Sequence, residues 1–331
     1  METFDAFDVG VFGEGELTLL ELIQRGVIDA SVKGIVFREN GGVCQSAPRQ
    51  HIKDLDVLPF PAYDILPDFP DFYRPTANNY LHLPVAPIIS SRGCPYRCSF
   101  CDQSVFGHKW RVHSTEYTFA LIKKLQERYG VREVCFYDDI FLVDRNKLHE
   151  FLARYEEENH TFRWSCEGRV DCIDTEDLAR MRTNGCWQIS FGVENGSQKI
   201  LDYFNKNITV AQIDDTIRRV ARAHINARAY IILGAPPETE ETLEETRQLL
   251  MRLPFGDIHI SFFTPIPGSM AYRQLASDSA QDCFDRMDVY TINYVPPFVT
   301  AERLQQFMDA VYAQFYFQPR IILRYFLMLV R

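Results

Sequence analysis

The sequence predicts an α/β protein built on an open, partial (βα)6 TIM-like barrel, with a small N-terminal α/β segment and a C-terminal helical extension. Two observations carry this. Six strand-like runs recur between Ala86 and Gly268, and helical periodicity fills the gaps between them. Parallel strands need a crossover connection, and a helix after each strand supplies it. Six units fall short of the eight that close a barrel, so the sheet is expected to stay open, with its chemistry at the C-terminal strand ends.

The strand-like runs are APIIS (Ala86 to Ser90), EVCFYDD (Glu133 to Asp139), FRWSCEGR (Phe162 to Arg169), WQISFGVE (Trp187 to Glu194), ARAYIILG (Ala227 to Gly234) and IHISFFTP (Ile258 to Pro265). They are rich in β-branched and aromatic residues and bounded by Gly, Pro or Asp. Phe119, Ile122, Leu125 and Tyr129 keep helical spacing behind Ser114 and Thr115. Leu148, Phe151, Leu152 and Tyr155 follow Asp144, a candidate N-cap. A shorter helix fits Thr175 to Thr183, and Ser197 to Phe204 adds a turn or two. Val210, Ile213, Ile217 and Val220 form a stripe behind Thr209, and Leu243, Leu249, Leu250 and Leu253 form another behind Thr239. Behind Thr300, Leu304, Phe307, Val311 and Phe315 share one helix face, which Pro319 ends or kinks.

The flanks differ in texture. Residues 1–80 hold one βα-like unit (FDVGVF, then GEGELTLLELIQRG), a hairpin (KGIVFRENGGVCQ) and a Pro-rich stretch, LPFPAYDILPDFP, expected to run extended as a linker. The core is assigned to residues 81–290 and the helical extension to 291–331. IILRYFLMLV (Ile321 to Val330) falls short of the roughly 20 residues that span a bilayer and is read as a core helix in preference to a surface-lying one. No transmembrane segment or signal peptide is read, so the expected location is cytoplasmic. A net charge of −10 argues against nucleic acid as a partner.

Of the nine cysteines, Cys44, Cys135, Cys166, Cys172, Cys186 and Cys283 are scattered, several in apolar strand-like runs where a cysteine acts as a small hydrophobe. Cys94, Cys98 and Cys101 are clustered in SSRGCPYRCSFCDQSVFGHKWR (Ser90 to Arg111), directly after the first core strand. Three thiolates on a short loop can hold three irons of a 4Fe-4S cube and leave the fourth iron open. The competing account is a zinc site with His108 or His113 as fourth ligand.

The spacing C-x3-C-x2-C, with the aromatic Phe100 before the third cysteine, resembles the motif of the radical S-adenosylmethionine (SAM) enzymes. The resemblance implies that Cys94, Cys98 and Cys101 are both metal ligands and the catalytic centre. It also implies that the open iron chelates SAM and that reductive cleavage yields a 5′-deoxyadenosyl radical that abstracts hydrogen from an unactivated carbon. It places cofactor contacts at the strand ends. Phe100 would meet the adenine, and Asp138 and Asp139 would take the SAM ammonium where the family usually has Gly-Gly-Glu. Glu167 and Arg169 end the third strand, and a two-pronged contact from Arg169 suits the SAM carboxylate. Glu194 would take ribose hydroxyls, and Gly234 would begin the adenine-side turn.

GCPYRCSFCDQSVFG, FYDDIF, RVD, GVENGSQ, GAPPET and TPIPG, with GEGE, LDVLPFPAYDIL and FYFQPR outside the core, resemble the cobalamin-type subgroup along nearly the whole chain. Members methylate unactivated carbons or remodel rings, which implies a small hydrophobic substrate and an electron donor such as flavodoxin or ferredoxin. Their cobalamin domain is longer than residues 1–80, and no D-x-H-x-x-G motif is present. A truncated Rossmann-like remnant is therefore favoured over full cobalamin binding, although GVFGEGE offers a glycine loop of the kind that meets phosphates. The function expected is a radical SAM methyltransferase or oxidoreductase/cyclase. The alternative is a non-catalytic zinc or iron-sulfur module that assembles with a partner.

Overall fold

The computed structural model describes residues 6–275 and 287–329, which leaves Cys283 outside the described residues. A six-stranded parallel sheet, curled into a half-barrel, forms the centre. In chain order the strands are β1 (Val9–Val11), β2 (Ile35–Glu39), β3 (Gly42–Gln45), β4 (Val85–Ile88), β5 (Ser91–Arg92), β6 (Arg111–Val112), β7 (Glu133–Phe136), β8 (Arg163–Gly168), β9 (Cys186–Glu194), β10 (Asn226–Leu233) and β11 (Asp257–Phe262). The central sheet runs β11-β10-β9-β8-β7-β4, all parallel, and each of its strands overlaps one of the six strand-like runs.

The helices are α1 (Glu16–Arg25), α2 (Thr115–Tyr129), α3 (Arg145–Glu157), α4 (Thr175–Thr183), α5 (Gln198–Tyr203), α6 (Val210–Arg222), α7 (Glu240–Arg252), α8 (Met270–Leu275), α9 (Ala301–Tyr316) and α10 (Pro319–Leu329). Their starts follow capping chemistry. The side chains of Ser114, Asp144, Thr209, Thr239 and Thr300 accept the first free amides of α2, α3, α6, α7 and α9. The helical stripes meet the sheet in one core that includes Ile122, Leu152, Trp164, Ile217, Leu250 and Val311. Cys135, Cys166 and Cys186 are buried in it as small hydrophobes.

The N-terminal segment departs from a Rossmann-like remnant. β1 pairs antiparallel with β2, and β2 with β3, giving a separate three-stranded sheet over Val32, Ile35 and Phe37. The chain returns from α1 through a loop that lays β2 against β1 in the opposite direction, so no parallel crossover forms. The hairpin is present, turned by Asn40 and Gly41 at φ 50° and 81°, as a primed two-residue turn requires. On α1, Leu19, Leu20 and Ile23 stay exposed.

Two further expectations need correction. The Pro-rich stretch does not run extended; it winds through single 3-10 turns at Leu55–Val57, Tyr63–Ile65 and Asp71–Tyr73. Phe60, Tyr63 and Phe69 pack on the core there, and the Tyr63 hydroxyl donates to the Pro87 carbonyl at 3.1 Å. α10 is a surface helix, not a core one: Ile321 is buried, but Ile322, Leu323, Phe326 and Leu327 are more than half exposed. Its polar residues point inward instead, with Arg320 donating to the carbonyls of Phe255 and Leu253 and Arg324 meeting Asn226. Among the described residues no helix is long and apolar enough to cross a membrane.

Candidate active site

A cavity of about 280 Å³ opens at the C-terminal ends of the central strands, and Cys94, Cys98 and Cys101 line it together. The loop that carries them, residues 93–110, leaves β5 and returns through β6, a two-residue ribbon pairing Ser91 with Val112 and Arg92 with Arg111. Gly93 begins the loop at φ 82°, and a Cβ there would stand 2.6 Å from the Lys109 carbonyl oxygen. Only glycine fits this neck. Gly93→Ala is expected to cost about 1–3 kcal/mol from the left-handed backbone alone. It should lower iron uptake on reconstitution, as measured by iron analysis beside a thermal unfolding curve.

The acids after β7 hold this loop in place. Both oxygens of Asp138 are used: Oδ1 accepts the amides of Ser90 and Ser91, and Oδ2 accepts the Ser90 hydroxyl at 2.6 Å. Asp138 does not line the cavity, and its geometry is that of a buried strap and not of an ammonium contact. Burial pushes its carboxyl up to about 6, against the hydrogen bonds it accepts. Asp139 does line the cavity, with Oδ2 accepting the Gly93 amide at 2.8 Å.

Burial pushes all three thiols up, Cys101 to about 11. Two cations oppose this at Cys98. The Arg169 Nη1 lies 3.9 Å from the Cys98 sulfur, and Lys206 also favours its thiolate. Arg169 stacks on the Tyr96 ring at 3.6 Å and donates to the Lys206 carbonyl oxygen at 2.8 Å. Its two-pronged contact is made with Asp171, at 3.0 and 3.2 Å, where the sequence suggested a SAM carboxylate.

Lys206 had no signal in the sequence beyond its place between two asparagines, yet its side chain is 7% exposed and paired with Glu194. Asn205 and Asn207, both left-handed, turn the chain so that Lys206 points inward. Glu194 is itself left-handed at φ 63°, a strained conformation for a side chain of this size. Gly192 leaves room for the pair, since a Cβ there would lie 2.4 Å from Glu194 Oε1 and 2.6 Å from Lys206 Nζ.

Glu167 lines the cavity and receives the Tyr230 hydroxyl at 3.3 Å; burial raises its carboxyl to about 7. Phe100 lines it too and packs edge-on against Phe204 at 5.0 Å. Gly234 does not line the cavity; its amide donates to Glu238, whose carboxyl burial pushes up to about 7. A second cavity of about 670 Å³ adjoins the first through Gly192, Glu194 and Tyr230. A row of rings, Tyr230, His259 and Tyr290, runs along it at 5.7 Å steps.

GEGE sits at the neck of the cysteine loop. Glu14 accepts Arg92 at 2.9 Å, Arg111 at 2.8 Å and the Ile52 amide at 2.7 Å, while Glu16 accepts Arg92. These carboxylates are already matched to two arginines, so the glycine loop that the sequence offered to phosphates presents acids.

The residues fit an iron-sulfur cluster. Three unbonded thiols face one cavity beside two buried cations that offset thiolate charge. Among the described residues no three His, Cys, Asp or Glu side chains converge tightly enough for a single metal ion. His108 and His113 are engaged elsewhere, with the Tyr96 carbonyl oxygen and with Asp56.

Residues 88–250 match the sequence model of the Radical SAM superfamily. An uncharacterized methyltransferase of Pyrococcus horikoshii is 29% identical over 98% of this chain and 70% of its own length. The anaerobic magnesium-protoporphyrin IX monomethyl ester cyclase of Cereibacter sphaeroides is 30% identical over 95% of this chain and 52% of its own, so the chain spans only about half of that relative. Among solved structures, the cobalamin-dependent SAM radical enzyme OxsB superposes with a TM-score of 0.71 at 18% identity, over 90% of this chain and 49% of its own. The methyltransferase TsrM of Kitasatospora setae gives 0.70 at 16% identity, over 95% and 69%.

Proposed function

This chain belongs to the radical SAM superfamily, and on that premise we propose that Cys94, Cys98 and Cys101 hold a 4Fe-4S cluster against which SAM binds in the 280 Å³ cavity. The carrying observation is the convergence of three unbonded thiols with two buried cations at the open end of the half-barrel. When bound, the cluster supplies the electron that breaks the sulfonium C–S bond.

The chain's own residues do the rest. Arg169 and Lys206 offset the thiolate charge at Cys98, which favours metal binding over protonated thiols. Glu194 accepts the ribose hydroxyls, and its pairing with Lys206 fixes the carboxylate in place. Glu167 is neutral or charged near pH 7 and bonds to Tyr230, so it suits a hydroxyl or amine contact. Asp139 retains one carboxylate oxygen for the SAM ammonium, and Phe100 offers a ring for the adenine.

The second cavity is assigned to a hydrophobic substrate with a flat face. Its row of Tyr230, His259 and Tyr290 suits ring stacking, and burial pushes the His259 imidazole below its usual range. Methyl transfer or ring remodelling is the reaction class that the names of the relatives support.

Anaerobic reconstitution tests the reading. Brown protein with about four irons that releases 5′-deoxyadenosine with dithionite supports it; colourless protein holding one zinc supports a binding module instead. Arg169→Ala is expected to weaken SAM binding about tenfold or more, through loss of a cation that lines the cavity, while the cluster absorbance survives because Lys206 still stands beside Cys98. Unchanged SAM affinity in equilibrium dialysis would remove Arg169 from the site.

A further inference from the structure

A groove of about 480 Å³ lies beside α10, at the opposite end of the central sheet from the cysteines. Trp187 and Asn226, at the starts of β9 and β10, line it, and it shares no lining residue with either cavity at the C-terminal strand ends. Arg182, Arg320, Arg324 and His224 line it as well, and among the described residues no acid does. The chain carries 45 acids against 35 bases, so this is a cationic groove on an acidic protein.

The three arginines lack anionic partners among the described residues. Arg182 is exposed. Arg320 donates to the carbonyls of Phe255 and Leu253 and to the Gln318 side chain, and Arg324 meets the Asn226 amide oxygen. The acid whose charge reaches Arg324 is Asp257, already taken by Arg228, Asn78, Tyr316 and Tyr325. Burial pushes Arg320 and Arg324 below the usual guanidinium range, the direction an unmatched cation takes. Along the outer side of α10, Ile322, Leu323, Phe326 and Leu327 form one exposed apolar stripe. Leu323 and Leu327 also line the groove, so stripe and arginines make one continuous surface.

We propose that this surface docks the protein on an anionic phospholipid bilayer, with the α10 stripe laid into the acyl boundary and a headgroup phosphate received by the arginine groove. An apolar stripe left open beside cations is what a helix lying in the plane of a membrane interface presents. Guanidinium groups bind phosphate through paired N–H donors, and a headgroup supplies the anion that the groove lacks. A second copy of the chain fits less well. A symmetric pair sets the same patch against itself, so arginine would meet arginine with no acid between them. The net charge of −10 is spread over the rest of the protein, and salt screens exposed charges beyond about 10 Å. Nothing in this surface depends on what the cysteines bind.

The test is flotation of the purified full chain with vesicles of phosphatidylcholine alone and of phosphatidylcholine mixed with phosphatidylglycerol. Binding should be about tenfold or more tighter on the mixed vesicles, and added salt should weaken it. Arg182→Glu should remove most of that preference, and Leu323→Glu with Phe326→Glu should abolish flotation. All three positions are exposed, so both variants should melt with the wild type. Wild-type protein left unbound by both vesicles would overturn the surface, whether or not a variant folds. Equal binding to the two vesicles, unmoved by salt or by Arg182→Glu, would sink the headgroup site. A stable dimer without lipid, broken by Leu323→Glu with Phe326→Glu, would give the stripe to a second copy and defeat membrane docking.

Discussion

Replacing Cys98 by alanine is expected to abolish both cluster binding and release of 5′-deoxyadenosine. Cys98 is the middle ligand of the three, and it alone has both buried cations beside it. Without its thiolate, Arg169 and Lys206 are left facing a cavity with one fewer negative group, and two sulfurs must hold a cube that needs three. The loss should be complete to the limit of detection, visible as missing brown absorbance and iron after anaerobic reconstitution. The fold should survive, because Cys98 is only half-buried and lies outside the main core. A Cys98→Ala protein that kept four irons and cleaved SAM would refute the ligand assignment outright. Cys135→Ala makes the contrast: it sits in the core of β7 and should cost stability without touching iron content.

Much of the fold was legible because its signals are local. Each core strand announces itself by β-branched and aromatic runs, and each long helix by a capping side chain followed by spaced apolar residues. The three cysteines were legible for the same reason, since their spacing lies within eight residues. What sequence could not show were the pairings made across distance. Glu14 meets Arg92 and Arg111, 78 and 97 residues away, and nothing local in GEGE marks it as an ion-pair partner. Lys206 meets Glu194 only because Asn205 and Asn207 turn the chain between α5 and α6. Strands of two residues such as β5 and β6 are too short for any alternation to register. The same limit explains Asp138: the sequence places it at a strand end, but not which groups its two oxygens already serve.

Glu14 carries the second large effect, through the neck of the cysteine loop. Its side chain is 4% exposed and receives two guanidinium groups and one amide, and Arg111 beside it is 6% exposed. Removing one member of a buried ion network strands the others, at a cost of about 3–5 kcal/mol. Glu14→Ala should therefore unfold at a clearly lower temperature, and Glu14→Gln, which keeps the shape, should lose a smaller part. The pH dependence gives the distinguishing sign. Burial would raise the carboxyl, but hydrogen bonds from Arg92, the Ile52 amide and Arg111 outweigh it and hold its pKa below the ordinary 4.5. A carboxyl lowered by folding contributes fully above its ordinary pKa and loses that contribution as pH falls through the folded value. The Tm gap between wild type and Glu14→Gln should accordingly be constant from neutral pH down to about 4.5 and close below it. Glu133 and Glu167, both pushed up to about 7 by burial, have the opposite slope and weaken the fold as pH rises toward neutrality. That slope is common to both proteins and cancels in the difference. The loop that Glu14 anchors carries all three cysteines, so the same variant should take up iron more slowly even where it remains folded. A Glu14→Gln protein with an unchanged Tm and an unchanged loading rate would show that the neck is held by the β5–β6 ribbon alone.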